Sequence, residues 1–331
     1  MTLEFIQGVN SNPFMKFSNK PLFLALVLLA AGCNQTSSTS SKTTSADGKK
    51  LVIGATMLSM QHEFVVNVHD EMVRKAEQEG IELITVDAER SALKQVEQVE
   101  SFIAQNVDAI ILNPAEVEAC SPAVRKALAA GIPIINVNSE TSAKPSAFVG
   151  SDDVEAGRIA MQYIADKLGG KGNVVMIEGY MGQTGQIKRA QGALAVLKKY
   201  PNMKLLAQQT AQWDRAKGMS LMENWIQSYG NQINAVFAHN DEMALGAIKA
   251  LTDAGLKDKI LVVGIDAITD ALQAMNKGTL DATVFQNAQQ QGFRSVEIAI
   301  KAARKQPFQK EVLIPFQLVT KATMGQFVRK E

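Results

Sequence analysis

The sequence is poor in cysteine and histidine, with 2 cysteines and 3 histidines among 331 residues. A disulfide framework needs several paired cysteines, and a structural zinc site needs Cys or His ligands at close spacing. Neither pattern is present, because Cys120 has no partner if Cys33 carries lipid, and the histidines at 62, 69 and 239 have no matching cysteines or histidines nearby. We therefore expect no metal ion and no other cofactor, and we interpret Cys120 as a small apolar filler or a surface thiol.

Excess charge of either sign is also missing, since 34 Lys and Arg residues balance 33 Asp and Glu residues. No basic stripe is interleaved with aromatics, so a nucleic-acid partner held through phosphate contacts is not expected. A phosphate-binding loop of P-loop spacing and a G-x-S-x-G elbow are missing as well. These absences argue against an enzyme and favour a protein that binds a small or local partner.

A long hydrophobic run is missing too: no stretch reaches the roughly 20 apolar residues that a membrane-spanning helix needs. The stretch "MKFSNKPLFLALVLLAAGC" has a basic start, about a dozen apolar residues and small residues before Cys33. This pattern is typical of a secretory signal, residues 1–33, whose true start we place at Met15. Its end resembles a bacterial lipobox, so Cys33 is the predicted lipidation site. An uncleaved anchor and an ordinary signal with a chance cysteine remain alternatives.

Residues 34–49 form a polar tether rich in serine and threonine, which offers nothing to bury. Folded structure is predicted from Lys50 onward. With 46% hydrophobic residues, the remaining chain is long enough for two compact domains with a core in each.

Short apolar runs alternate with segments of helical period from Leu51 onward. Unbroken apolar strands that alternate with helices indicate parallel sheets covered by helices on both faces, which is the α/β class. Ten such runs are recognised: "LVIGATML", "IELITVDA", "VDAIILNPA", "IPIINVNS", "AFVGSD", "NVVMIEGY", "KLLAQQTA", "INAVFAHND", "KILVVGID" and "DATVFQNA".

Amide, carboxylate and aromatic residues follow the carboxyl ends of these runs. In open α/β sheets the ligand binds beyond those ends. Carboxylates and amides exchange hydrogen bonds with hydroxyl groups, and aromatic faces stack on the C–H side of a sugar ring. The predicted ligand is therefore a sugar or a polyol.

Five segments carry a resemblance to a known family: "AVFAHNDEMALGAIKAL", "LVVGIDAITDALQAMNKGTLDATVFQ", "AFVGSDDVEAGRIAMQYIA", "VDAIILNPAEVEA" and "WDRAKGM". Together they resemble the ribose-binding-protein branch of the periplasmic sugar-binding proteins, the receptors of ABC transporters. The resemblance implies two Rossmann-like lobes joined by a three-strand hinge. It places the N-terminal lobe at 50–151 and 287–315, and the C-terminal lobe at 152–286 and 316–331.

The same resemblance implies a set of ligand-binding residues in the cleft between the lobes. Phe64 and Trp213 match aromatics that pack on the sugar, and Arg189 and Asp266 match groups that bind its hydroxyls. A core tryptophan and a solvated helix arginine are the bland alternatives. The other matched positions, some of which also fit turn or hinge roles, are Asn113, Asn138, Glu140, Ser151, Asp152, Asn240 and Gln286.

The segment "IINVNSET" departs from the family pattern, because Asn138 and Ser139 stand where the ribose binders carry an Asp-Arg pair. A serine cannot replace a bidentate arginine without changing the favoured hydroxyl pattern. Ribose is therefore doubtful, and we favour a sugar alcohol, a cyclitol or a pyranose. An amino-substituted ligand paired with Glu63 or Glu140 is a weaker hypothesis.

The cluster His239-Asn240-Asp241-Glu242 poses a separate question, since it could be mistaken for a metal site. Adjacent residues point in different directions, so we interpret it as a strand-to-helix turn. In this interpretation Asn240 faces the ligand, Asp241 caps the following helix and Glu242 lies in its acidic first turn.

The sequence thus predicts a lipid-anchored, extracytoplasmic receptor, a monomer, that captures a small carbohydrate or polyol and delivers it to an ABC permease by hinge closure. A sugar receptor for a sensor kinase or chemoreceptor uses the same closure and is the alternative.

Overall fold

The computed structural model describes residues 50–327. The predicted signal segment, the predicted tether and residues 328–331 lie outside this range, so these assignments and the lipidation of Cys33 stay predictions. Strands occupy β1 (Val52–Met57), β2 (Glu82–Asp87), β3 (Ala109–Leu112), β4 (Ile134–Val137), β5 (Ala147–Gly150), β6 (Lys171–Glu178), β7 (Asn202–Thr210), β8 (Ala235–Ala238), β9 (Leu261–Asp266), β10 (Ala282–Phe285), β11 (Glu311–Leu313) and β12 (Gln317–Thr320).

Helices lie between most of these strands. They are α1 (Glu63–Glu79), α2 (Ala92–Ala104), α3 (Ser121–Ala129), α4 (Asp153–Lys167), α5 (Thr184–Leu197), α6 (Arg215–Tyr229), α7 (Asp241–Asp253), α8 (Thr269–Lys277) and α9 (Ala288–Ala303). Polar side chains begin several of them, as where Ser91 accepts from the backbone N–H of Lys94. Glycines in the left-handed conformation end α1 and α8, at Gly80 and Gly278.

The strands form two six-stranded sheets. The first has the order β11-β5-β4-β3-β1-β2 and the second β12-β10-β9-β8-β6-β7. Every pairing is parallel except that of β12 with β10, which is antiparallel. All ten predicted apolar runs form strands, so the predicted α/β fold with parallel sheets is confirmed.

The sequence did not indicate β11 and β12, which are the outermost strands of their sheets. They span only three and four residues, and most of those residues are partly or fully exposed. A short edge strand with one solvated side has no continuous apolar run to reveal it.

Each sheet is covered by helices on both faces, which makes two lobes. In the first lobe α1 and α9 pack on one face, and α2 and α3 pack on the other. In the second lobe α6, α7 and α8 cover one face, and α4 and α5 cover the other. The chain passes between the sheets three times: after β5, after β10, and between β11 and β12. The residue boundaries given for the lobes from the sequence stay predictions.

Helices α4 and α5 approach closely enough that glycine is required at their contact. A Cβ atom on Gly157 would lie 2.0 Å from the backbone oxygen of Arg189, and one on Gly192 would lie 2.0 Å from that of Val154. This contact sets the position of α5, and therefore of Arg189, against the second sheet.

We expect Gly157→Ala to lower the free energy of unfolding by about 1–3 kcal/mol, because the added methyl group must push the two helices apart. Urea denaturation followed by circular dichroism measures the change. Gly325→Ala is the control, because a Cβ atom there meets no atom within 4 Å. Equal stability of the two variants would contradict the proposed contact.

Candidate functional site

A small cavity lies between the lobes at the carboxyl ends of the strands. Its volume is about 50 Å³. The first lobe contributes Leu58, His62, Phe64, Val65, Asn138 and Ser139. The second lobe contributes Asp153, Gln183, Gly185, Arg189, Trp213, Asn240, Asp266 and Gln286. We call this space the cleft cavity.

Arg189 is the cation of the cleft cavity, and its guanidinium is held from three directions. Its Nε donates to Asp153 Oδ1 at 2.8 Å, and one terminal nitrogen donates to Gln286 Oε1 at 3.0 Å. The other terminal nitrogen donates to the backbone oxygen of His239. With Arg189 only 5% exposed, these bonds fix the ends of β8 and β10 against α4 and α5.

Asp153 and Asp266 are the two carboxylates of the cleft cavity. Burial raises the pKa of Asp153, and its ion pair with Arg189 offsets part of that effect. Burial also raises the pKa of Asp266 well above its usual range, and Arg189, whose nearest nitrogen is 4.0 Å away, again opposes the rise. Asp266 is therefore a buried acceptor that gains most from a hydroxyl donor placed against it.

Trp213 forms a wall of the cleft cavity with a ring that is 8% exposed. Its Nε1 donates to Gln183 Oε1 at 2.6 Å, and Gln183 Nε2 in turn donates to the backbone oxygen of Pro114 in the first lobe at 3.4 Å. Gly179 lies directly under the ring, since a Cβ atom there would be 1.9 Å from it. Trp213 is thus part of the second lobe's hydrophobic core as well as a wall of the cleft cavity.

Three lining residues have backbone conformations that side chains other than glycine rarely adopt. The φ angles are 66° at Asn138, 61° at Trp213 and 124° at Asp266. Such conformations cost about 1–3 kcal/mol each and concentrate at ligand-binding sites, where surrounding contacts hold them. The chain is strained at the positions where it turns side chains into the cleft cavity.

The interpretation of the cluster at 239–242 needs one correction. Asn240, not Asp241, caps α7, because its Oδ1 accepts from the backbone N–H of Met243 at 3.0 Å. Asp241 is fully buried and accepts from Thr283 Oγ1 at 2.7 Å and from the backbone N–H of Ile268 at 3.1 Å. The error arose because both residues are good caps and only the true helix start decides between them. Glu242 lies in the acidic first turn, as predicted.

Seven of the eleven predicted ligand-binding positions line the cleft cavity, and the other four do not. Phe64, Asn138, Arg189, Trp213, Asn240, Asp266 and Gln286 line it. Asn113 accepts from the backbone N–H of Leu58 and donates to the backbone oxygen of Val137, which ties three strand ends together. Ser151 accepts from Gln291 Nε2, and Asp152 caps α4.

Glu140 and Glu63 do not line the cleft cavity, because both contact the opposite lobe instead. Glu140 pairs with Lys188 Nζ at 2.7 and 2.8 Å, and its backbone N–H donates to Thr184 Oγ1. Glu63 accepts from the backbone N–H of Thr269 at 3.0 Å. An amino-substituted ligand held in the cleft cavity would therefore have neither of the partners suggested for it.

Four polar lining residues were absent from the predicted set: His62, Ser139, Asp153 and Gln183. Asp153 directly follows two predicted positions, which is a usable signal. The other three are recognisable only from the fold, because Gln183 is placed by its bonds to Trp213 and Pro114. His62 Nε2 and Ser139 Oγ, like Gln286 Nε2 of the predicted set, are buried atoms with no hydrogen-bond partner among the described residues.

Two further observations bear on the chemistry of the described chain. Between residues 50 and 327, no three His, Cys, Asp or Glu side chains are grouped so that they could hold a metal ion. No helix within that range combines the length and the apolar character needed to cross a membrane.

Arg189→Met is expected to lower the free energy of unfolding by about 3–5 kcal/mol, since it leaves the buried Asp153 carboxylate without its counter-charge. Arg158→Met is the matched control, because Arg158 lies on the exposed face of α4, paired with Glu155, and its loss should cost less than about 1 kcal/mol. Urea titration of both variants measures the difference, and similar losses would show that the Arg189 network is energetically unimportant.

Comparison with known proteins identifies the family. The model of the periplasmic binding protein domain matches residues 53–307. The xylitol-binding protein of Mycolicibacterium smegmatis is 40% identical over 80% of this chain and 73% of its own length. A putative rhizopine-binding protein of Rhizobium meliloti is 38% identical over 84% and 93%.

A solved structure gives the same result. An ABC transporter solute-binding protein of Bacillus halodurans, with bound myo-inositol, superposes with a TM-score of 0.82 at 39% identity, covering 86% of this chain and 99% of that one. These relatives are binding proteins, and they share the two-lobed fold. The resemblance inferred from the sequence motifs is thereby confirmed, and the chain belongs to the periplasmic binding protein family.

Proposed function

We propose that this protein is an extracytoplasmic receptor that captures a sugar, sugar alcohol or cyclitol between its lobes and delivers it to an ABC permease. One observation carries the proposal: the cleft cavity is enclosed by strand ends of both lobes and lined by buried polar atoms that lack partners. A small molecule with several hydroxyl groups matches this lining, because each hydroxyl both donates and accepts.

Different residues around the cleft cavity would supply the polar and the aromatic contacts to the ligand. Asp266 supplies a buried acceptor and Gln286 Nε2 supplies a donor. Phe64 and Trp213 supply aromatic surface from opposite lobes, on which the C–H side of a ring can pack. Contacts from both lobes at once explain why the ligand would favour the closed form.

Within this ligand class, a sugar alcohol or cyclitol is favoured over ribose. Asn138 and Ser139 present no forked cation to a furanose, and Arg189 is already engaged by three protein acceptors. The similarity to a xylitol-binding protein and to a structure with bound myo-inositol supports the same ligand chemistry.

The contacts between the lobes explain how capture would be coupled to recognition by the permease. On one side of the cleft cavity Glu140 pairs with Lys188, and Val117 N–H donates to the Gly182 oxygen at 3.0 Å. On the other side Glu63 accepts from Thr269. These bonds exist only when the lobes are closed, so ligand contacts and lobe contacts reinforce each other and shift the population toward the closed form.

Lipid on Cys33 would hold the receptor at the membrane, and the tether at 34–49 would let it reach the permease at raised local concentration. The polar composition of the tether and the lipobox-like sequence support this part of the proposal.

Purified protein from Lys50 onward should gain stability from myo-inositol, xylitol or sorbitol, and less from ribose or glucosamine. A ligand at 100 times its dissociation constant adds about 2.7 kcal/mol, which thermal unfolding detects. Asp266→Asn should abolish the gain, whereas Asp270→Asn, on the exposed side of α8, should not. No gain with any carbohydrate would refute the proposed function, and a larger gain with ribose would refute the specificity argument.

Lys188→Met should weaken ligand binding about two- to fivefold without altering the cleft cavity, because it removes a half-exposed ion pair that forms only on closure. Calorimetric titration with whichever polyol binds measures this effect. Lys249→Met, which breaks a pair with Asp253 inside the second lobe, is the control and should bind normally. If both variants bind equally well, the Glu140–Lys188 pair does not stabilise the closed form.

A further inference from the structure

His62 is a cleft-cavity residue with an unusual hydrogen-bonding state. It precedes α1, is 7% exposed and makes no side-chain capping bond to the helix. Its Nε2 is buried without a hydrogen-bond partner among the described residues. A buried polar atom normally has a hydrogen-bond partner. An unpaired ring nitrogen on a residue that lines a ligand cavity is therefore a candidate group for hydrogen-bonding the ligand.

The charged groups around His62 come from both lobes. Arg90 and Asp87 act on it from the first lobe, and Asp214 acts on it from the second. The cleft cavity adds Asp153, Asp266 and Arg189 on its far side. Burial is the largest influence and lowers the pKa of His62 to about 4; Arg90 acts in the same direction, and the two aspartates oppose it. The ring is therefore neutral in the closed protein at any pH near neutrality.

The neutral state of His62 is linked to lobe closure, because residues of the second lobe surround the cavity that His62 lines. Trp213 and Asp214 belong to the second lobe, yet Trp213 lines the same cavity as His62 and Asp214 acts on its charge. Separation of the lobes would return the ring to water, where a histidine titrates near 6.5. A proton taken up in the open form must then leave before the lobes can close.

We propose that His62 is a specificity-determining residue, whose neutral imidazole hydrogen-bonds a ligand hydroxyl through Nε2, so that ligand capture releases the proton that His62 holds in acid. This inference rests on the proposed function and deepens it. Ser139 Oγ and Gln286 Nε2 are likewise buried without a partner among the described residues. Together with His62 Nε2 they give the cavity three groups that can hydrogen-bond a ligand hydroxyl, and each of the three follows a different strand.

The proposal predicts that ligand affinity falls as the pH is lowered. A ring that must be neutral in the closed form makes closure unfavourable below pH 6.5, so affinity falls as the pH falls. If the open form titrates at 6.5 and the closed form at about 4, the dissociation constant rises on the order of 20-fold between pH 7 and pH 5. A bulky apolar ring at this position removes both the hydrogen bond and the pH dependence.

The experiment is calorimetric titration with myo-inositol and with xylitol at pH 7.0, 6.0, 5.5 and 5.0, on the wild type and three variants. His62→Phe should bind at least about tenfold more weakly at pH 7, and His62→Asn, which keeps a polar side chain, should lose the fall in affinity that the wild type shows below about pH 6.5. His69→Asn is the matched control: His69 lies on α1, paired with Asp70, and does not line the cleft cavity. It should retain the wild-type profile.

A second readout separates a ligand contact from a merely structural role. Titration at pH 5.5 in buffers of different ionisation enthalpy counts released protons, and we expect nearly one per bound ligand for the wild type and His69→Asn, and fewer for His62→Asn. Thermal unfolding of each variant without ligand checks that it folds. If His62→Phe does not fold, the comparison between the wild type and His62→Asn is used instead.

The outcomes distinguish the two proposals. Wild-type binding with the same pH profile and proton count in His62→Asn would overturn the inference about His62 and leave the receptor function intact. Full affinity of a folded His62→Phe at pH 7 would overturn the hydrogen bond to the ligand. If the wild type binds neither polyol nor any other carbohydrate at pH 7, the proposed function fails, and the inference about His62 fails with it.

Discussion

The buried guanidinium of Arg189 is the interaction on which the arrangement of the site depends. It joins Asp153 at the start of α4, the oxygen of His239 at the end of β8 and Gln286 at the end of β10. A buried charge is tolerated only when its partners are close and well aligned, so the guanidinium fixes those three segments relative to one another. One of them, at Gln286, is also a crossing between the lobes, which links the geometry of the site to the hinge.

Strain and covering contacts are balanced around this network. Asn138, Trp213 and Asp266 hold unfavourable backbone angles at strand ends, and the packing of the second lobe under Trp213 keeps its ring in place. Contacts on both sides of the cleft cavity then hold the lobes together with modest, half-exposed bonds. Rigid walls and weak closing contacts suit a receptor that must bind selectively and still reopen.

The charges in the cleft cavity are largely satisfied by the protein itself. Arg189 is paired with Asp153, and burial disfavours the charged form of Asp266, which leaves little net field to attract an ionic ligand. The unpaired groups are instead neutral: an imidazole, a hydroxyl and an amide. This composition suits a neutral polyol. The glutamates that first suggested an amino-substituted ligand instead make contacts between the lobes.

The sequence by itself determined the fold class and the positions of the ten strands, because buried parallel strands need continuous apolar runs that survive in any context. It also located half of the residues that line the cleft cavity, since strand ends in an α/β fold converge on one edge. Only the tertiary structure decided which partner each polar group meets. Glu140 was expected to bind the ligand but pairs with Lys188 of the other lobe. Asn240, and not Asp241, caps its helix. His62 Nε2 is buried without a hydrogen-bond partner among the described residues. Those choices depend on distances between segments far apart in the chain, which local pattern does not encode, because the energy of a polar group is set by its neighbours in space.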